Sequence, residues 1–218
     1  MLLAIDTATS HAGIALMDAG GQVCRATTWQ SERNHTVELV PKLVRLLADC
    51  RVSAADLKAV AVTIGPGSYT GLRIGLSVAK GLCFANAAAL IGVPTLDVSA
   101  RAYAPRAGIL CALLQAGRGR LAAAFYRAAN GEWQVAKNGF MGRADELAAC
   151  CAEQDTFFVG EVDAATEECL RERLGALADF APPDEHRRDP RVLARLGWER
   201  WQRGAIDDLA TLAPDYGQ

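Results

Sequence analysis

The chain has 218 residues, 51% of them hydrophobic and 22% charged, with a formal net charge of -2. Those proportions exclude disorder and give enough chain for a core that needs no staples. The near-neutral balance also argues against a free-standing nucleic-acid binder, which relies on a strongly basic surface.

Leu2-Leu3-Ala4-Ile5 reads as a buried strand ending at Asp6, followed by a turn rich in small and hydroxyl residues from Thr7 to Gly13. Ile14 to Met17 reads as the returning strand and Val23 to Trp29 as a third, giving an antiparallel meander. A helix follows, with Asn34 or Thr36 as its N-cap and a bend expected at Pro41. Its apolar stripe is Leu39, Val40, Leu43, Leu46, Leu47 and Cys50, wider than one sheet contact needs. Ala59 to Ile64 is a strand, Gly65 to Gly71 a loop, Leu72 to Asn86 a second helix capped by Thr70, and Ala88 to Val93 a further strand.

The composition breaks at Tyr103 to Gly108, and the pattern then partly restarts. Three short strands (Ile109 to Leu114, Leu121 to Tyr126, Trp133 to Val135) precede a helix over 144–151, a strand over 156–159 and helices over 166–174 and 190–203. The expected organisation is one β-β-β-α-β-α plan used twice, with the second copy eroded and the domains at 1–103 and 104–218. Seven cysteines without a CxxC pair read as buried reduced thiols of a cytosolic protein. Asp6 interrupts the apolar start, so no signal peptide is expected, and no apolar run predicts a membrane span.

Two stretches carry chemistry. Asp6-Thr7-Ala8-Thr9, at a strand end, can hold a nucleotide phosphate, with the carboxylate on water or Mg²⁺; spacing alone favours an Asx-type turn closing the hairpin. Gly65-Pro66-Gly67-Ser68-Tyr69-Thr70-Gly71-Leu72-Arg73 joins a strand to a helix, as phosphate loops do, but lacks the lysine and spacing of a Walker A loop, and a rigid structural connection is the alternative. Along the helix after it, Gly71, Gly75, Ala79 and Cys83 form a row of small residues that would admit a neighbouring helix, with plain packing inside the chain as the default reading. His35 is followed four residues later by Leu39, so a helical two-histidine metal site is incomplete; His11 and His186 are isolated, and no metal site is expected. Ser68 lacks a nucleophile elbow. Gln115 ends the first strand of the second half, where a phosphotransferase of this topology would carry an acid, which argues against an autonomous kinase.

Leu3-Ala4-Ile5-Asp6-Thr7-Ala8-Thr9, then His35 before an apolar helix, then Gly65 to Gly75 closely resemble the TsaB (YeaZ) family over the first ~100 residues. In the second half Gln115 stands where the family has Asp, and Pro214-Asp215-Tyr216 resembles its ending without the usual Leu-Arg. The resemblance implies an α/β fold of two RNase H-like lobes of the actin/Hsp70/sugar-kinase-like (ASKHA) type. It implies a non-catalytic, cytoplasmic scaffold that binds the catalytic TsaD subunit, with the ATPase TsaE, for threonylcarbamoyl transfer to N6 of adenosine 37 in tRNAs reading ANN codons. Such a subunit would meet tRNA mainly through the complex, form a homodimer when alone, hold no cofactor by itself and lie near ATP or ADP at the complex interface. It places the nucleotide near Asp6, Thr7, Ala8 and Thr9 and the partner contact on the two N-lobe helices. The contact residues expected there are His35, Leu39, Leu43, Leu46, Leu72, Leu76 and Lys80, with Gly65, Pro66, Gly67, Ser68, Gly71 and Arg73 as a structural loop. A small phosphotransferase and a peptidase using Ser68, His35 or a cysteine are the alternatives.

Overall fold

The computed structural model describes residues 1–31, 34–182 and 187–217; His186 lies outside the described residues. The chain forms two compact units, one of Met1–Thr95 joined by Asp189–Tyr216, the other running over Leu96–Arg188.

The first unit holds a five-stranded sheet made of β1 (Leu2–Asp6), β2 (His11–Met17), β3 (Val23–Gln30), β4 (Ala59–Gly65) and β5 (Ala89–Pro94), in the order β3-β2-β1-β4-β5. Central β1 pairs antiparallel with β2 and parallel with β4. Both its faces are covered, so its five residues are all buried and the stretch reads as an unbroken apolar run. Edge strand β3 mixes exposed and half-buried residues and has none fully buried. One face of the sheet carries α1 (His35–Asp49) and α2 (Tyr69–Asn86), which close a core of Leu3, Ile5, Ile14, Leu16, Val60 and Val62. Asn34 occupies the α1 cap position but makes no side-chain cap bond, and the helix continues through exposed Pro41.

The other face carries α6 (Pro190–Gln202), which lies on β1, β2 and β4. A Cβ on Gly197 would come 2.3 Å from that of Ala61, so only glycine lets this helix seat so deeply. The expected cut at 103 and second lobe to 218 therefore differ from the compact units: the boundary falls at Thr95, and 189–216 returns to the first unit. The reason is burial, because the apolar face of α6 (Leu193, Ala194, Gly197) covers a sheet face that would otherwise stand in water. The tail then runs along β5. Asp207 pairs with Leu90 and accepts the Gly92 amide at 2.7 Å, and the Asp215 amide donates to the Ile64 carbonyl at 2.6 Å.

In the second unit α3 (Thr95–Ala100) leads into β6 (Ile109–Gln115), β7 (Leu121–Ala129), β8 (Glu132–Gly142), α4 (Ala144–Cys151), β9 (Thr156–Gly160), α5 (Ala164–Leu174) and β10 (Ala178–Phe180). The sheet order is β10-β9-β6-β7-β8, and β6 pairs antiparallel with β7 and parallel with β9. This repeats the first sheet strand for strand. The second copy is thus complete in its sheet, where an eroded one was expected; β10 is three residues long, too short for a periodic signal. Along β6, Ile109, Cys111 and Leu113 face the core under α4 and α5, while Leu110, Ala112 and Leu114 face the layer with Leu96 and Ala100. All seven cysteines are free thiols, but Cys83, Cys111 and Cys151 alone are buried, and Cys24 and Cys150 are exposed.

Candidate functional site

The Asp6 turn and the glycine loop meet at the ends of β1 and β4. Asp6 is buried, and its Oδ1 accepts from the Ala8 amide at 3.0 Å and from the Thr63 hydroxyl at 3.1 Å. The first of these closes an Asx-type turn. Thr7 Oγ1 donates to the Gly71 carbonyl at 2.7 Å, and the Ser68 amide donates to the Ala8 carbonyl at 2.6 Å. A Cβ on Gly71 would stand 2.1 Å from the Thr7 carbonyl oxygen, and one on Gly75 would stand 2.3 Å from Thr7 Oγ1. The start of α2 therefore sits directly on the turn. Thr7 and Ala8 are fully buried, and the Thr7 hydroxyl that spacing offered to a phosphate is bonded inside the chain.

This packing also explains the row of small residues. Gly71, Gly75, Ala79 and Cys83 are buried on the turn and sheet side of α2, so the row admits the chain's own turn, an intrachain packing. The cap of α2 is Ser68, whose Oγ accepts the Gly71 amide at 3.2 Å; Thr70, expected in that role, is exposed one residue inside the helix. Beyond the cap, Tyr69 stacks on Tyr216 with ring centroids 4.8 Å apart, and Arg73 both donates to the Tyr69 hydroxyl and lies over its ring. Sequence reasoning missed this joining of the tail to the loop, since only the fold brings 215–216 to 64–69.

His35 opens α1 and is buried against the Asp6 turn, close enough to interact with the Thr9 carbonyl and Asp6. Its Nδ1 has no hydrogen-bond partner among the described residues. Burial lowers its pKa below the ordinary histidine value, outweighing Glu38, the Thr9 carbonyl and Asp6, which all act to raise it. Glu38 in turn is held below its usual range by hydrogen bonds, from Ser31 first and then from Trp29, whose Nε1 lies 3.1 Å away. The sign of the pH effect follows. As pH falls through about 6.5 the unfolded chain gains a proton on His35 while the folded chain resists it, so stability declines until the folded pKa is passed. We expect urea unfolding at pH 5.5 and 7.5 to show a smaller pH dependence for His35→Asn than for the natural chain. An equal dependence in the two proteins would contradict this.

Of the residues expected to touch a partner, Leu39, Leu43, Leu46, Leu72 and Leu76 are buried in the first unit's own core, and Lys80 is half-buried. The leucine stripe has its sheet to cover, so it has no surface left for a second protein. The exposed apolar side chains on these helices are others. Val37 is 70% exposed, Val40 47% and Val44 59%, at i, i+3 and i+7 on α1, and Phe84 is 85% exposed on α2. Among the described residues of α2, Ser77 and Gly81 are small and exposed, and nothing lies within 4 Å of a Cβ on Gly81. The available signal was the second valine series running beside the leucines.

At the matching strand end of the second unit, Gln115 Nε2 points to the Glu161 carbonyl (3.4 Å) and the Thr166 hydroxyl (3.5 Å). Glu161 is the nearby acid, and it pairs at 3.3 Å with Arg188, whose side chain is almost wholly buried. No group of three or more His, Cys, Asp or Glu suited to a metal ion occurs among the described residues.

Two five-stranded sheets of identical order, each with helices on its faces, define an ASKHA-type protein of two RNase H-like lobes. The model of the family described as "TsaD: tRNA N6-adenosine threonylcarbamoyltransferase" matches residues 27–203. The tRNA threonylcarbamoyladenosine biosynthesis protein TsaB of Bacillus subtilis is 31% identical over 218 residues, spanning 99% of this chain and 93% of that protein. The Escherichia coli protein of the same name is 38% identical over 100 residues, 46% of this chain and 42% of that one. YeaZ from Pseudomonas aeruginosa has the same fold, with a TM-score of 0.78 at 24% identity over 99% of this chain and 98% of its own. The chain belongs to the TsaB (YeaZ) family, within the wider TsaD-type family whose model covers it.

Proposed function

We propose that this chain is a non-catalytic scaffold subunit of the machinery that makes threonylcarbamoyladenosine in tRNA. It would bind a TsaD-like catalytic subunit, with a TsaE-like ATPase, and so support threonylcarbamoyl transfer to N6 of adenosine 37 in ANN-decoding tRNAs. The observation that carries the reading is the exposed apolar series Val37, Val40 and Val44 on α1 with Phe84 on α2, beside small, open Ser77 and Gly81. Exposed apolar side chains on an otherwise well-packed unit suit a protein contact, and small exposed positions let a partner helix come close. The same face would serve an isologous homodimer when the chain is alone.

The non-catalytic part of the reading is supported by the engaged state of the candidate groups. Thr7 and Ser68 spend their hydroxyls on the turn and the helix cap, and Leu39 is core where a second metal-ligating histidine would stand. ATP or ADP at the complex interface would meet the backbone of the filled turn, with tRNA held chiefly by partner subunits in the cytoplasm. The reading is tested by mixing TsaD, TsaE, tRNA and threonylcarbamoyl-AMP with and without the purified chain and quantifying the modified nucleoside. Modification is expected only with the chain present. Equal modification without it would overturn the scaffold role.

A further inference from the structure

A cavity of about 320 Å³ lies within the second unit, between the β7–β8 ladder and the C-terminal end of α4, and the scaffold reading makes no use of it. Its volume falls at the small end of the range typical of small-molecule sites. Two register shifts flank Phe125 in the β7–β8 pairing, so β8 bends there and sets Lys137 opposite Phe125, with Nζ 6.0 Å from the ring centroid. Ile109 and Phe125 supply apolar wall, and exposed Cys150 stands on the α4 side. Arg127 is held in place by Gln154, whose Oε1 accepts from Nη2 at 2.7 Å. Two cations thus line the cavity, and among the described lining residues there is no carboxylate. The C-terminal end of α4 adds at most about half a negative charge, less than the two cations supply. An adjoining cavity of about 390 Å³ shares Arg127 and Gln154; its acid is Asp155, and its arginine, Arg106, is already paired with Asp179 and stacked on Phe157.

We propose that this cavity binds a small organic monocarboxylate, its carboxylate between Arg127 and Lys137 and its apolar part against Phe125 and Ile109. Charge and shape favour this over a bare inorganic anion, because half of the wall offers nothing to a phosphate.

Cys150 makes the site testable with a probe that is itself a monocarboxylate. Iodoacetate alkylates a thiol as the sulfur–carbon bond forms and the carbon–iodine bond breaks, with iodide leaving and the thiol proton passing to buffer. Iodoacetamide does the same without a charge. Neighbouring Cys151 is buried, with its thiol pushed up to about 11, and stays largely unreactive at neutral pH. Site-resolved peptide mass spectrometry would give the iodoacetate-to-iodoacetamide rate ratio at Cys150, normalised to glutathione. We expect that ratio to be raised about tenfold by the two cations, to fall toward one in the doubly substituted Arg127→Gln, Lys137→Gln protein, and to be reduced saturably by butyrate but not by phosphate at equal ionic strength. Both substituted positions are exposed, so the fold should persist, and the butyrate competition needs no variant. A ratio equal to that of glutathione, or equal protection by phosphate, would overturn the proposal.

Discussion

Val40→Glu combined with Val44→Glu should leave the isolated chain folded and weaken its binding to a TsaD-like subunit by about 3 kcal/mol, roughly a hundredfold in Kd. Both valines are exposed, so the free protein loses no core contact. In a complex, each glutamate would be buried against apolar partner surface with no cation assigned to it, and an uncompensated buried charge is expensive. Titration calorimetry with the TsaD-like subunit measures the loss, and circular dichroism checks the fold. Unchanged affinity would move the partner contact off this face. The comparison with Leu76→Glu is instructive. Leu76 belongs to the core formed with Val60, Val62 and Leu39, so that variant should lose the first unit's fold before any contact can be measured.

Gly71→Ala should be strongly destabilising. Its Cβ would sit 2.1 Å from the Thr7 carbonyl oxygen, and backbone cannot swing aside as a long side chain can. Either the Asp6 turn or the start of α2 must shift, with loss of the Thr7–Gly71 and Ser68–Ala8 bonds. A cost of about 3 kcal/mol is expected from overpacking together with the lost hydrogen bonds. Gly81→Ala is the matched control on the same helix: nothing lies within 4 Å of its Cβ, and alanine's better helix propensity should add about 1 kcal/mol. Chemical denaturation of the three proteins tests both signs together. Equal stability of Gly71→Ala and the natural chain would mean that the turn and the loop do not pack as described.

Much of the fold was legible before any coordinates. The meander, both N-terminal helices and the restart after residue 108 follow from periodicity and turn chemistry; most boundaries differ by one to three residues, as with β2 beginning at His11 where a turn to Gly13 was read, but β8 runs seven residues past the Val135 end that was read. What pattern did not resolve were short or non-local features: β10, the return of α6 to the first sheet, and the tail that meets Ile64 and Tyr69. The site divides the same way. The Asp6 turn and the glycine loop stood out as motifs, yet their spacing left both a phosphate cradle and a structural clasp readable. Hydrogen bonds and glycine clearances show the clasp within this chain.

The sequence by itself determined which residues are apolar, how often they recur and which turn motifs join them, and these local quantities set the elements and their order. Only the tertiary structure decided which apolar stripe faces inward. On α1 the leucines and the valines are both helically spaced, and a helix carries no mark of which series will meet the sheet. The larger leucines fill the space over Leu3, Ile5 and Val60, which leaves the valines outside. That choice moves the expected contact surface by part of a helical turn, from buried leucines to exposed valines, because burial is a property of the assembled layers and not of the spacing that builds each one.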